Sequence, residues 1–154
     1  FPQPIDHKPT LKDAIWDLKD SATPAKALNH SHCSQLPFPN HEFMIGGFSP
    51  MFMTRNRVRS WDQPSFTIQA SGRHAPLHPS APTMEKTGKD QFVFKPGCED
   101  QYRRLSVREC ARIQTFPDDY VITGSQNMWY AQVGNAVPVK LAKAIGDGIM
   151  KFIK

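Results

Sequence analysis

Fourteen prolines, spread from Pro2 to Pro138, constrain this 154-residue chain more than any other feature. Each fixes φ and removes a backbone donor, so the chain reads as rich in loops and turns. Nine Gly reinforce that reading, while ten Phe and three Trp supply large aromatic anchors that disordered chains lack. The length suits one ordinary domain, with a radius of gyration of about 15 Å and room for a real core. A hydrophobic share of 39% is modest but sufficient. The longest apolar runs are a handful of residues, far below the roughly 20 that a spanning helix needs. No charged-then-apolar signal segment opens the chain. Its first residue is Phe1, which implies processing or a place within a longer polypeptide.

Cys33, Cys98 and Cys110 stand far apart and are odd in number, which fits a reducing, cytoplasmic compartment better than a disulfide framework. The tract His30-Ser31-His32-Cys33, with His41 beyond it, offers imidazole and thiolate of the kind zinc takes. No second paired ligand set follows, so a solvated His-bearing loop is expected and no metal site is assigned.

Charge is distributed unevenly. Residues 1–45 carry four basic and five acidic side chains, residues 46–82 four and one, and residues 83–154 eleven and eight. In the middle stretch the bases are Arg55, Arg57, Arg59 and Arg73, with no lysine among them, and the single acid is Asp62. A guanidinium presents a rigid fork that matches guanine O6 and N7 or a phosphate, whereas an ammonium acts as a point charge. Residues 52–59 and 65–70 alternate, and Ser60-Trp61-Asp62-Gln63-Pro64 reads as a turn, so a β-hairpin is expected here. In a strand Arg55, Arg57 and Arg59 share one face at about 6.6 Å intervals, a spacing suited to neighbouring base steps. Ser71-Gly72-Arg73-His74 follows and can aim a fourth guanidinium at the same ligand. A merely solvated basic face is the competing reading.

Three segments have helical punctuation. Thr10-Leu11-Lys12-Asp13 starts like a capping box, with Leu11, Ala14, Ile15 and Leu18 at helical spacing behind it. Ser106-Val107-Arg108-Glu109 is a full capping box, with Leu105 placed to staple against Cys110 and Phe116-Pro117 as the stop. Arg108 and Arg112 share a face there, and pairing with acids such as Glu109 or Asp118 is the plain structural role for them. Gly134-Asn135-Ala136-Val137-Pro138 leads into a third helix, with Pro138 suited to its first position. Val137, Leu141, Ile145, Ile149 and Phe152 form an apolar stripe that needs a surface to cover it. No internal repeat, heptad or low-complexity tract is present.

Two stretches together resemble one family. Residues 104–114, Arg-Leu-Ser-Val-Arg-Glu-Cys-Ala-Arg-Ile-Gln, followed by Phe116-Pro117-Asp118-Asp119, look like the ninth conserved motif of bacterial DNA (cytosine-5) methyltransferases. Gly134-Asn135-Ala136-Val137-Pro138 with Leu141-Ala142 looks like their tenth. The stretch from Met53 to Pro79, with its arginines and Ala70-Ser71-Gly72-Arg73, is similar to the target-recognition region of members that modify GGCC. One departure is Thr115, where the family usually has Gly before Phe-Pro.

Methylating carbon 5 of cytosine needs a thiolate at carbon 6, an acid at ring nitrogen 3 and a methyl donor. The family takes its thiolate from a Pro-Cys dipeptide, yet here Cys33 follows His32, Cys98 follows Gly97 and Cys110 follows Glu109. No Glu-Asn-Val segment supplies the acid, and Ile45-Gly46-Gly47 lacks the strand context of a cofactor loop. No catalytic residue is therefore assigned. The resemblance implies an α+β fold: a small mixed recognition domain with β-hairpins and short helices, plus a C-terminal helix that packs on an α/β S-adenosylmethionine-dependent catalytic domain. Residues 1–20 would be the exit segment and helix from that domain, 21–128 the recognition domain, and 129–154 the returning motif and helix. By the same resemblance, Arg55, Arg57, Arg59 and Arg73 contact double-stranded DNA, Arg108 and its helix support the recognition domain, and Asn135, Ala136 and Val137 border the S-adenosylmethionine pocket. The implied partner is the N-terminal catalytic half. A separate DNA-binding subunit working with a catalytic chain is the alternative. An RNA- or polyanion-binding protein fits the charge but leaves both motifs unexplained.

Overall fold

The computed structural model describes residues 6–30 and 38–153. Helix α2 (Val107–Ile113) lies at the centre, and its sequence explains why it forms. The Ser106 hydroxyl accepts the Glu109 N–H at 3.1 Å, and the Glu109 carboxylate accepts the Ser106 N–H at 2.7 Å. Two donors of the first turn are thereby satisfied. Helix α1 (Leu11–Ile15) starts on the same device, with Thr10 and Asp13, and continues into a 3₁₀ turn at Trp16–Leu18. Arg112 ties the two helices together: it donates to Asp17 at 2.6 Å and to both Asp118 carboxylate oxygens at 2.7 Å. Asp118 is thus the expected acid partner for Arg112.

Arg108 takes a different role. It is fully buried and donates to the carbonyls of Pro39, Pro117 and Tyr120 at 2.9, 2.9 and 2.5 Å. One guanidinium thus fastens two loop segments, at residue 39 and at 117–120, to α2. Glu109, also fully buried, is held by Arg103 through two contacts of 2.7 and 2.8 Å, the condition under which a buried carboxylate is tolerable.

Helix α3 (Gln126–Asn135) packs Trp129, Tyr130 and Val133 against Leu105, Val107, Cys110, Ala111 and the α1 residues Leu11 and Ile15. A second apolar cluster gathers Phe52, Val58, Leu77, Ala81, Met84 and Tyr102, flanked by Phe48, Phe92 and Phe94. Strands are short. β1 (Thr23–Pro24) pairs in parallel with β2 (Glu42–Phe43), and β3 (Glu85–Gly88) pairs antiparallel with β4 (Gln91–Val93). Among the described residues no helix is long and apolar enough to cross a membrane.

The hairpin expected over 52–70 is not there. Phe52–Thr54 is a 3₁₀ turn, Val58 makes a single parallel bridge to Leu77, and Leu77 bridges Arg104. Arg57 and Val58 are both buried, which breaks the period of two that a half-exposed strand requires. The hairpin that does form lies at β3–β4, around Lys89-Asp90 with Asp90 at φ +52. Gly134-Asn135 also differs from expectation: it ends α3 instead of opening the last helix. Helix α4 (Val139–Met150) follows, with Pro138 as its N-cap and no buried residue anywhere along it.

Candidate nucleic-acid interface

Phe66 organises the arginine face. The Arg59 guanidinium lies over its ring at 4.2 Å and that of Arg55 at 6.0 Å, so one aromatic plate carries two cations. Arg55 is exposed; Arg57 is only 9% exposed. Arg57 donates to the carbonyls of Phe52 at 2.7 Å and Met51 at 3.0 Å, with its guanidinium over the Phe52 ring at 4.7 Å. The three arginines therefore do not share one strand face. Arg55, Arg57, Phe66, Thr67, Gln69, His74 and Pro76 instead surround a cavity of about 330 Å³.

Arg73 sits on the 3₁₀ turn Gly72–His74, whose start is capped by the Ser71 hydroxyl accepting the Arg73 N–H at 3.3 Å. It is exposed and borders a second recess of about 580 Å³ with Gly46, Gly47, Asn127 and Arg104. His74 borders both recesses. Arg104 is buried against Phe48, 3.9 Å from ring centre, and donates to the carbonyls of Gly46 and Gly47 at 3.0 and 2.7 Å. It shapes the recess wall. Among the described residues the arginine–carboxylate pairs fall on Arg103 and Arg112, so Arg55 and Arg73 present their donors outward without a carboxylate partner. An acid-poor surface of guanidinium forks, an amide and an imidazole suits an anionic ligand with acceptor edges.

Asn135 is the last residue of α3, and Ala136 and Val137 lie on the turn between α3 and α4, well apart from the arginines in sequence. Gln114, at the end of α2, holds that turn: its amide donates to the carbonyls of Val133 at 3.2 Å and Ala136 at 3.4 Å. The Gln114 carbonyl accepts the Val139 N–H at 3.1 Å. Asn135 and Val137 remain exposed, so they offer an amide and an apolar side chain as one edge of a pocket, with no opposing wall from this turn.

Of the described cysteines, Cys110 is a poor nucleophile. Cys110 is completely buried, and burial pushes its thiol far above the ordinary range. Cys98 is half-buried beside the second apolar cluster. Of the His/Cys tract, residues 31–33 lie outside the described residues. His41 is buried between the hydroxyls of Ser21 at 3.0 Å and Ser106 at 2.9 Å, and burial lowers its pKa. Among the described residues no group of three His, Cys, Asp or Glu is placed to hold a metal ion.

Phe66, Gln69 and His74 were not singled out from sequence, although all lie in the acid-poor stretch. Helix α3 was missed as well. Its buried set, Gln126, Trp129, Tyr130 and Val133, has helical spacing, but the polar Gln126 conceals it.

A family model described as C-5 cytosine-specific DNA methylase matches residues 1–151. The chain is 55% identical over its whole length to 47% of the Type II methyltransferase M.MthTI of Methanothermobacter thermautotrophicus. It is 53% identical over 99% of its length to 45% of M.FnuDI of Fusobacterium nucleatum, and 49% identical over 96% to 43% of M.NgoPII of Neisseria gonorrhoeae. The chain thus spans less than half the length of these relatives.

Proposed function

The chain belongs to the C-5 cytosine-specific DNA methylase family, and from that premise we propose that it is the DNA-recognition portion of a restriction-modification cytosine-5 methyltransferase. Its target is a GC-rich site, GGCC, to which the complete enzyme transfers a methyl group at carbon 5 of cytosine. The carrying observation is that Arg55, over the Phe66 ring, and Arg73 are both exposed without a carboxylate partner among the described residues, with His74 bordering the recess of each. Arg55 and Arg73 read base edges. Arg59 backs Arg55 on the Phe66 plate, and Arg57 braces residues 51–52 while bordering the cavity.

S-adenosylmethionine is the methyl donor of this chemistry, and Asn135, Ala136 and Val137 would form one edge of its pocket. The exposure of Asn135 and Val137 fits a pocket whose remaining walls come from the N-terminal catalytic half. The apolar stripe of α4 docks on that half. Methyl transfer by the 154-residue chain alone is not expected, because its sequence has no Pro-Cys and Cys110 is sealed in the core.

In the complete enzyme, Arg73→Ala and Arg55→Ala should each lower discrimination between a GGCC duplex and single-base variants by about 1–3 kcal/mol per lost bidentate contact. Equal weakening on cognate and scrambled duplexes would assign these arginines to phosphates and overturn the reading.

A further inference from the structure

Helix α3 meets the arginine-bearing segment backbone to backbone. A Cβ added at Gly134 would lie 2.4 Å from the Gln69 carbonyl carbon and oxygen and 2.4 Å from the Ala70 nitrogen. Non-bonded carbons rest at about 3.5–4.0 Å, so the overlap is severe, and the atoms concerned are main chain that no rotamer change can move aside. Nor is glycine there for its backbone freedom. Gly134 is absent from the positive-φ residues and lies within α3, and in a helix glycine is disfavoured by roughly 1 kcal/mol relative to alanine. Close approach is what this position requires.

One helical turn earlier, α3 grips the same segment again. A Cβ on Gly72 would fall 2.7 Å from both the Tyr130 ring and the Met44 methyl. Tyr130 has no room to yield: it is fully buried, its hydroxyl donates to the Leu105 carbonyl at 2.8 Å and accepts the Met44 N–H at 3.2 Å. Residues 130 and 134 share a helix face, so residues 69–72 are fixed at two levels. Gln69 lines the cavity with Arg55, and Arg73 comes directly after the second grip.

We infer that Gly134 is a positioning residue for target reading: its contact with the main chain of Gln69 and Ala70 sets the aim of Gln69 and Arg73 toward DNA. It does so although it adjoins residues 135–137 assigned to the cofactor edge. The inference rests on the reading of Arg73 as a base contact.

The complete enzyme with Gly134→Ala, Arg73→Ala and both together tests it, using S-adenosylmethionine, a GGCC duplex and a duplex with one base pair changed. Gly134→Ala should reduce discrimination between the duplexes about tenfold, a change of the size of one lost base contact, with cofactor affinity unaltered. In the Arg73→Ala background the same substitution should cost less than it does alone, because part of its effect runs through the Arg73 contact. Losses that multiply, or a loss of cofactor affinity with discrimination intact, overturn the inference. If Arg73→Ala alone leaves discrimination intact, the base-contact reading fails first and takes the inference with it. Should Gly134→Ala not fold, Ala70→Gly loosens the other side of the contact without adding bulk and should lower discrimination in the same direction. Unchanged discrimination there overturns the inference too.

Discussion

At Thr115 the backbone takes φ +61, a left-handed conformation that strains a residue with a Cβ by roughly 1–2 kcal/mol. The turn it makes is a Schellman closure of α2: the Phe116 N–H donates to the Ala111 carbonyl at 2.9 Å and the Thr115 N–H to the Arg112 carbonyl at 2.8 Å. Glycine would relieve the strain, and the resemblance leads one to expect glycine here. Threonine adds a hydroxyl that accepts the Lys140 N–H at 2.9 Å, capping an otherwise unsatisfied donor in the first turn of α4. A cap of this kind contributes about 1 kcal/mol, enough to offset much of the strain. Thr115→Val keeps the branched side chain and its strain but loses the acceptor, so the Lys140 amide should exchange about fivefold faster, equivalent to about 1 kcal/mol. Thr115→Gly should speed the same amide while leaving the denaturation midpoint near that of the parent, because cap and strain disappear together. Unchanged Lys140 exchange in both variants would show that the hydroxyl caps nothing.

The elements divide by how local their causes are. The capping boxes of α1 and α2 are interactions over three residues, so Thr10–Asp13 and Ser106–Glu109 were legible in sequence and form as read. The alternation of residues 52–59 was equally visible, but what decides that segment is distant: Val58 meets Leu77, Leu77 meets Arg104, and Arg57 turns inward onto the Met51 and Phe52 carbonyls. Arginine identity alone does not say whether a fork faces solvent or a loop's own carbonyls. The β3–β4 hairpin went unseen because Lys89-Asp90 lacks the Asn-Gly type of signal that marks two-residue turns. For α4 the apolar stripe was plain, and the structure leaves Leu141, Ile145 and Ile149 48%, 42% and 53% exposed. A twelve-residue helix is marginal on its own, so tertiary contact has to supply its stability. If it docks on the catalytic half as proposed, two buried side chains contribute about 1.5–3 kcal/mol each. Leu141→Asp with Ile145→Asp should then weaken reassembly of this chain with a separately produced N-terminal half by at least about 100-fold, read by co-purification and restored methyl transfer. Reassembly at full strength would place the docking surface elsewhere.

Across the whole molecule, the two apolar clusters are joined by a polar seam whose charges are set by burial. Glu109 on α2 is clamped by Arg103 and receives the Ser106 N–H, which holds its carboxyl below the usual range despite complete burial. His78 follows Leu77 of the second cluster and faces that carboxylate at 3.5 Å, with the Trp61 ring edge-on at 5.2 Å. The Ser80 N–H donates to His78 Nδ1 at 3.3 Å, which puts the proton of a neutral ring on Nε2, toward Glu109. Two influences oppose one another at this histidine. Glu109 favours the imidazolium, whereas burial and the nearby Arg103 disfavour it. Burial is the larger, and it draws the pKa down to about 4. His41, buried between two hydroxyls, is shifted the same way. An unfolded chain takes up a proton on His78 below about pH 6.5, while the folded chain resists until about pH 4. Stability from this site is therefore complete above pH 6.5 and lost as the pH falls toward 4, by about 2 kcal/mol at pH 5. Denaturant unfolding at pH 7.5 and pH 5 should show that loss, and His78→Gln should remove its share of the slope, leaving that of His41. A gain in stability on acidification would mean instead that His78 protonates and pairs with Glu109, making the seam an ion-pair network rather than a neutral ring beside an already compensated carboxylate.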